Sequence, residues 1–215
     1  MSEKNLNYWQ QKLSKNLPVL EISTDKIRNS NYNCILGIET FTFSQELLQS
    51  LKNISRRCDN NLLSVLITGF SCLLHRYTAG EDIVIGSYIQ KSDNSGFNTL
   101  AFRNYLSGDT LFSQLLDRVH QEVCLDLQHQ GFSWKQLLEK LPDKDRNVFQ
   151  VMFNLQDSWN NNIKFPSDIN EFQLDLFFVV VDSKEGLKGT VFYNQELFEP
   201  QTIQRMICHF ENLLN

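Results

Sequence analysis

Apolar residues recur along this chain at two spacings, and the switch between them marks the elements. Leu6, Trp9 and Leu13 share one face of a short first helix. A polar stretch containing Pro18 follows, and residues 35–41 read as a short strand. A helix over 43–58 carries Leu47, Leu48, Leu51, Ile54 and Cys58 on one stripe, with Thr42 or Ser44 as its cap. Residues 62–77 are apolar nearly all round, which predicts a buried central helix, started by Asn60 or Asn61 and stopped by Gly80. Residues 82–89, with Ile83-Val84-Ile85 at their heart, and 97–103 read as strands. Phe112, Leu115, Leu116, Val119, Val123 and Leu127 form a 3.6-residue stripe on a helix over 111–128. A shorter helix around Trp134, Leu137, Leu138 and Leu141 ends at Pro142. Strands are expected at 147–155, 172–181 and 188–193, the last two as a hairpin around Lys184-Glu185-Gly186. Pro200 opens a final helix that turns Ile203, Met206, Ile207, Phe210, Leu213 and Leu214 inward. Residues 157–170 are Asn-rich and read as a surface loop. Interleaved helices and strands without a repeat predict one α/β or α+β domain: a single two-layer body with a mixed sheet of five or six strands, covered on one side by the four long helices. Leu66, Phe70, Leu73, Val84, Leu116, Val151 and Phe210 are the expected core.

Composition narrows the function. The 215 residues are 41% hydrophobic and 21% charged, near globular averages, so a disordered or fibrous chain is excluded. The net charge of −5 gives no basic footprint for nucleic acid. The most apolar window, 62–74, holds Ser64, Thr68, Gly69 and Ser71 and is too short for a bilayer span, so no membrane association is expected. Five cysteines without a Cys-x-x-Cys pair, behind a polar N-terminus, imply reduced thiols and a cytoplasmic setting.

Candidate chemistry is sparse. His75, His120, His129 and His209 are the titratable candidates, and each also fits a helix-end or solvent-facing role. No His-x-x-x-His or Glu-x-x-His pair points to a metal, and no Gly-rich phosphate loop or Gly-x-Ser-x-Gly elbow is present. Cys72 and His75 are spaced as a nucleophile and base on one helix, but packing accounts for both.

Several strings point further when taken in order. Tyr8-Trp9-Gln10-Gln11-Lys12-Leu13, Leu17-Pro18-Val19-Leu20-Glu21 and Thr24-Asp25-Lys26 come first. Leu73-Leu74-His75-Arg76-Tyr77 and Glu81-Asp82-Ile83-Val84-Ile85-Gly86 follow, then Phe97-Asn98-Thr99-Leu100 and His129-Gln130-Gly131-Phe132-Ser133-Trp134. The series ends on Val148-Phe149-Gln150-Val151-Met152-Phe153-Asn154-Leu155-Gln156, Tyr193-Asn194, Leu197-Phe198 and His209-Phe210. As a set they resemble the second half of nonribosomal peptide synthetase condensation domains, of the chloramphenicol-acetyltransferase-like superfamily. That family has two similar lobes in a V, with the active site and a pantetheine tunnel between them. The resemblance implies a complete C-terminal lobe over residues 1–215, without the N-terminal lobe that carries the His-His-x-x-x-Asp-Gly motif. No adjacent His-His pair occurs in the sequence.

Departures from the family pattern fall where the family approaches its tunnel and its other lobe. The span from Gly86 to Asn98 is short, Lys144-Asp145-Arg146-Asn147-Val148-Phe149 is a trimmed version of a longer segment, Gln173 replaces a common acid, and Ser133 replaces a proline. The resemblance implies no catalytic residue and no metal. It implies tunnel- or partner-facing positions at Asn98, Thr99, His129, Gln150, Met152 and Asn154. It implies no bound cofactor, only contact with a partner's phosphopantetheine arm. The first reading is a non-catalytic docking partner for a synthetase module, carrier protein or tailoring enzyme. The second is one half of a split enzyme that joins carrier-bound acyl groups as amides with a separate N-terminal lobe. A decayed fragment and a free-standing enzyme using His129 or His75 are the remaining alternatives. A lobe deprived of its neighbour leaves an apolar seam bare, and the expectation is a homodimer or another chain covering strands 172–181 and 97–103.

Overall fold

The apolar segment at the centre of the chain organises everything else. In the computed structural model, which describes residues 3–14, 17–28, 35–59, 61–90, 97–142, 147–156 and 173–215, it forms helix α3 (Leu62–Thr78). Asn61 caps it, its Oδ1 accepting from the Ser64 N–H at 3.1 Å. The helix ends one residue before the glycine that the sequence offers as a stop. Ala79 takes the left-handed conformation (φ 53°) and donates to the His75 carbonyl, while the Gly80 N–H is satisfied by the Thr78 hydroxyl. Capping geometry, once set by the helix length, wins over residue preference at a cost of about 1 kcal/mol.

Around α3 lie α1 (Glu3–Leu13), α2 (Gln45–Ser55, followed by a 3₁₀ turn Arg56–Cys58), α4 (Phe112–Gln128), α5 (Trp134–Lys140) and α6 (Pro200–Leu214). The strands are β1 (Leu36–Phe43), β2 (Asp82–Gln90), β3 (Phe97–Tyr105), β4 (Val151–Gln156), β5 (Leu176–Ser183) and β6 (Gly186–Asn194). They form one six-stranded mixed sheet in the order β1-β6-β5-β4-β2-β3. The β1/β6, β6/β5 and β2/β3 ladders are antiparallel, and β5/β4 and β4/β2 are parallel. The β5–β6 hairpin turns at Lys184-Glu185 and lands on Gly186 at φ 120°. A side chain there would drive into the Phe43 carbonyl.

The α2, α3, α4 and α6 helices layer on one sheet face. Phe70 of α3 packs on Phe153, Phe178 and Phe210 with ring centroids 5.0, 4.9 and 5.8 Å apart, and this aromatic block is the centre of the core. All seven expected core residues are at most 1% exposed. The structure adds a partial cover on the other face. Alternation along β3 sends Asn104 toward α3, where it donates to Ser71, and Arg103 to the opposite side, where it donates to the Lys12 carbonyl of α1.

Several expectations are corrected, and Leu213, expected inward on α6, is 36% exposed. Phe112 is 42% exposed, because the buried stripe of α4 begins one turn later, at Leu115. The strand expected as a bare seam is an interior one: β5 lies between β6 and β4, and Leu176 through Val181 are no more than 2% exposed. Phe172 lies outside the described residues. The 147–155 strand is shorter than expected, starting at Val151, and β1 runs two residues past Phe41.

Candidate functional site

Polar residues of β2, β3 and β4 lie around the place where the sheet changes from parallel to antiparallel. β2 and β4 meet in register only at Gly86 and Met152. Beyond that point the Asn154 side chain stands in for the ladder. Its Oδ1 accepts from the Tyr88 N–H at 2.7 Å and from the Ser87 hydroxyl at 3.3 Å, and Ser87 also reaches the Phe153 carbonyl. Across β2, Tyr88 pairs with Thr99 and Ile89 with Asn98. Among the described residues, buried polar atoms on these strands have no hydrogen-bond partner: Thr99 Oγ1 and Asn154 Nδ2 on one face, and Asn98 Nδ2 on the other. Each such group costs about 1–3 kcal/mol. On the face away from α3, Thr99 and Asn154 offer a hydroxyl and an amide donor, with neither nucleophile nor base.

An aromatic series fixes the backbone beneath them. Trp9 of α1, Phe132, Trp134 and Phe149 follow one another at centroid distances of 5.3, 5.6 and 5.7 Å. The Trp134 indole N–H donates to the Thr99 carbonyl, and Ser133 caps α5, which carries that indole. Phe149 lies flat on Gly86, where a Cβ would come within 2.5 Å of its ring and 2.8 Å of Met152. Tyr88 stacks on Phe97 at 4.8 Å, and Phe97 is partly exposed.

The six positions singled out from sequence therefore separate. Thr99 and Asn154 share the sheet face away from α3, and Asn98 lies on the opposite, helix-covered face of β3. Met152 is fully buried beneath Phe149, and Gln150 accepts the Leu20 N–H at 2.9 Å, so both hold internal contacts. His129 ends α4, stacked on Tyr8 at 4.1 Å with its Nδ1 3.1 Å from Asn5 Oδ1. Burial, then the Lys4 charge, lowers its pKa below the ordinary histidine value.

The group that sequence reasoning missed lies beside it. Asp126, fully buried on α4, accepts from Tyr8 Oη at 2.7 Å and from Lys12 Nζ at 2.6 and 2.8 Å; Lys12 also pairs with Glu122 at 2.9 Å. Burial pushes the Asp126 carboxyl up to about 6 against the opposing pull of Lys12 and Tyr8, and burial with the nearby carboxylate pushes the Tyr8 phenol up. Only the i, i+4 spacings of Tyr8 with Lys12 and Glu122 with Asp126 hinted at it. Gln130 Oε1, also buried without a partner, left no such hint.

The other histidines are engaged locally. His75 Nδ1 is 2.8 Å from the Gly80 carbonyl, and His209 Nδ1 is 2.8 Å from Tyr77 Oη. His120 lies 3.1 Å from the Ser64 hydroxyl and 3.4 Å from Asp59, but Ser64 is fully buried inside α3. Burial raises the Cys72 thiol pKa, away from a nucleophile's range. Among the described residues no group of three or more His, Cys, Asp or Glu could hold a metal ion, and no helix is long and apolar enough to cross a membrane.

Comparison with known proteins follows the same lines. The family model described as "Condensation domain" matches residues 1–215. A linear gramicidin synthase chain of Brevibacillus parabrevis is 33% identical over 235 residues, covering 99% of this chain and 3% of the synthase. A plipastatin synthase chain of Bacillus subtilis (strain 168) is 30% identical over 234 residues, covering 99% of this chain and 6% of its own length. The chain thus spans only a few per cent of these relatives. Among solved structures, holo-AB3403, a four-domain nonribosomal peptide synthetase bound to AMP and glycine, superposes with a TM-score of 0.86 at 19% identity, over 99% of this chain and 19% of that one. The X-domain in complex with OxyB from teicoplanin biosynthesis superposes with a TM-score of 0.84 at 19% identity, over 98% of this chain and 51% of that one. Core helices, mixed sheet and motif strings all agree with the sequence match, and the chain belongs to the condensation-domain family of nonribosomal peptide synthesis, with the chloramphenicol-acetyltransferase-like fold.

Proposed function

We propose that these 215 residues form a partner-recruiting condensation-type lobe of nonribosomal peptide assembly, non-catalytic by itself, that docks a synthetase module, a carrier protein or a tailoring enzyme in the cytoplasm. The observation that carries this reading is chemical. The sequence has no His-His-x-x-x-Asp-Gly motif, and the partnerless polar groups of Thr99 and Asn154 include no general base. The structural likeness to an X-domain, a protein seen in complex with OxyB, supports recruitment as a use of this fold.

A second reading is favoured by the unpaired polar atoms of Thr99 and Asn154. In it the chain is the tunnel wall of a split enzyme. Asn154 donates to an amide carbonyl of a carrier's phosphopantetheine arm, Thr99 bonds its hydroxyl or amide groups, and an N-terminal lobe on a separate chain supplies the base. Amide formation between two aminoacyl- or acyl-loaded carriers, followed by mass spectrometry, separates the readings when run with the chain alone and with a His-His-x-x-x-Asp-Gly lobe added in trans. No product with the chain alone, together with retention of a synthetase module on the immobilised chain, is the expected result. Product from the chain alone would overturn both readings, and product only with the added lobe would replace the first with the second.

A further inference from the structure

The two edges of the sheet are treated differently. At the β3 edge, two outward-facing carbonyls are occupied: Trp134 donates to Thr99 and Arg118 to Tyr105. At the β1 edge no described residue bonds to the outward backbone. The direction of those groups follows from the ladder. Gln195 N–H donates to the Ile35 carbonyl at 2.8 Å, and the pairing continues Leu36 with Asn194 and Gly37 with Tyr193. Odd-numbered residues of β1 therefore exchange their bonds with β6, and Leu36, Ile38, Thr40 and Thr42 point their N–H and C=O groups away from the sheet. Over its eight residues, from Leu36 to Phe43, the strand is regular, contains no proline, lysine or bulge, and exposes Leu36 by 50% and Ile38 by 55%. Of the devices by which soluble proteins blunt an edge, proline, lysine and bulges are missing, and the strand's one charge, Glu39, is held by Gln204 on the helix-covered face.

We propose that β1 is a self-association edge, pairing antiparallel with β1 of a second copy across a two-fold axis at Ile38. Charge and apolar pattern select that occupant and register. With Ile38 on the axis, Ile38 faces Ile38 and Leu36 faces Thr40 of the other copy, so the four exposed aliphatic side chains form one patch. On the helix-covered face Glu39, held by Gln204 at 3.1 Å, lies opposite Gly37. Moving the axis to Glu39 would set two carboxylates directly opposite each other, and moving it to Thr40 would carry Leu36 past the strand end against Ser44, the cap of α2. The pairing joins two six-stranded sheets into a continuous twelve-stranded one and consumes the open β1 edge of each copy, so the assembly closes at two. This inference is independent of the docking and split-enzyme readings, since the β1 edge is the far end of the sheet from Asn98 and Thr99.

Sedimentation of the 215-residue chain from about 1 µM to about 1 mM, the range of small interfaces, tests it. The expected result is a reversible monomer–dimer equilibrium that Thr40→Pro weakens at least tenfold (the substitution removes an outward N–H and leaves the β6 ladder intact). Ile38→Lys should weaken it similarly. Far-ultraviolet circular dichroism and melting temperature report whether each variant folds. For the unmodified chain, exchange of the Ile38 and Thr40 amides should slow as concentration rises. A monomer throughout, a dimer indifferent to both folded variants, assembly beyond two copies, or concentration-independent exchange at those amides would each overturn the proposal.

Discussion

Thr99→Val is the sharpest perturbation of the candidate site. Thr99 is 1% exposed and its hydroxyl has no partner, while its methyl and backbone sit in a β3 position that valine fits equally well. The folded chain carries the desolvation cost of that hydroxyl without a compensating bond, about 1–3 kcal/mol. Replacing it with a methyl of nearly the same shape removes the cost and adds a little apolar burial. The variant should therefore be more stable, with a melting temperature higher by about 2–4 °C per kcal/mol for a chain of this size. Denaturant titration of both proteins, with unchanged m-values, gives the difference directly. The same variant should retain a phosphopantetheine-bearing carrier less well if the hydroxyl is kept for that arm. A loss of stability on Thr99→Val would mean that the hydroxyl is satisfied in the folded chain, and the reading of Thr99 and Asn154 as polarity held in reserve for a partner would fall with it.

The core and the buried acid provide two further tests. Leu73→Ala, at a position 1% exposed, should cost about 2–5 kcal/mol in the same denaturant titration. For Asp126, burial raises the carboxyl from 3.8 to about 6 on folding. Between those values the folded chain keeps a proton that the unfolded chain has released. This group's contribution therefore falls as pH climbs from about 4 to about 6, by about 3 kcal/mol at most, and is level on either side. Asp126→Asn should flatten that part of the stability profile, and an unchanged slope would refute the assignment.

The 3.6-residue stripes of α2, α4 and α6 and the apolar run of α3 were legible because their burial follows from local periodicity, and the seven expected core residues are buried. The motif strings gave the family because they preserve order and spacing, which survive where individual residues drift. Asn98, Thr99 and Asn154 were named from those strings, but that Thr99 and Asn154 share a face was not legible. The place of Asn154 beside β2 depends on β2 and β4 separating after Gly86, so that one amide replaces a ladder bond, and such divergence has no signature in alternation. His129 looked like a site residue because histidines titrate; its stacking on Tyr8 arises from a helix more than one hundred positions earlier in the chain.

Strand order marks the same division. An apolar run such as Leu176–Val181 announces burial without saying whether the covering surface is its own sheet or another molecule. Only the tertiary structure placed β5 inside the sheet and left β1, the more modest apolar alternation, at the edge. Local sequence fixes which face of an element is apolar, since side-chain direction repeats with the backbone. Which neighbour meets that face is decided by contacts between segments far apart in sequence, and only the assembled sheet shows which apolar side chains remain uncovered.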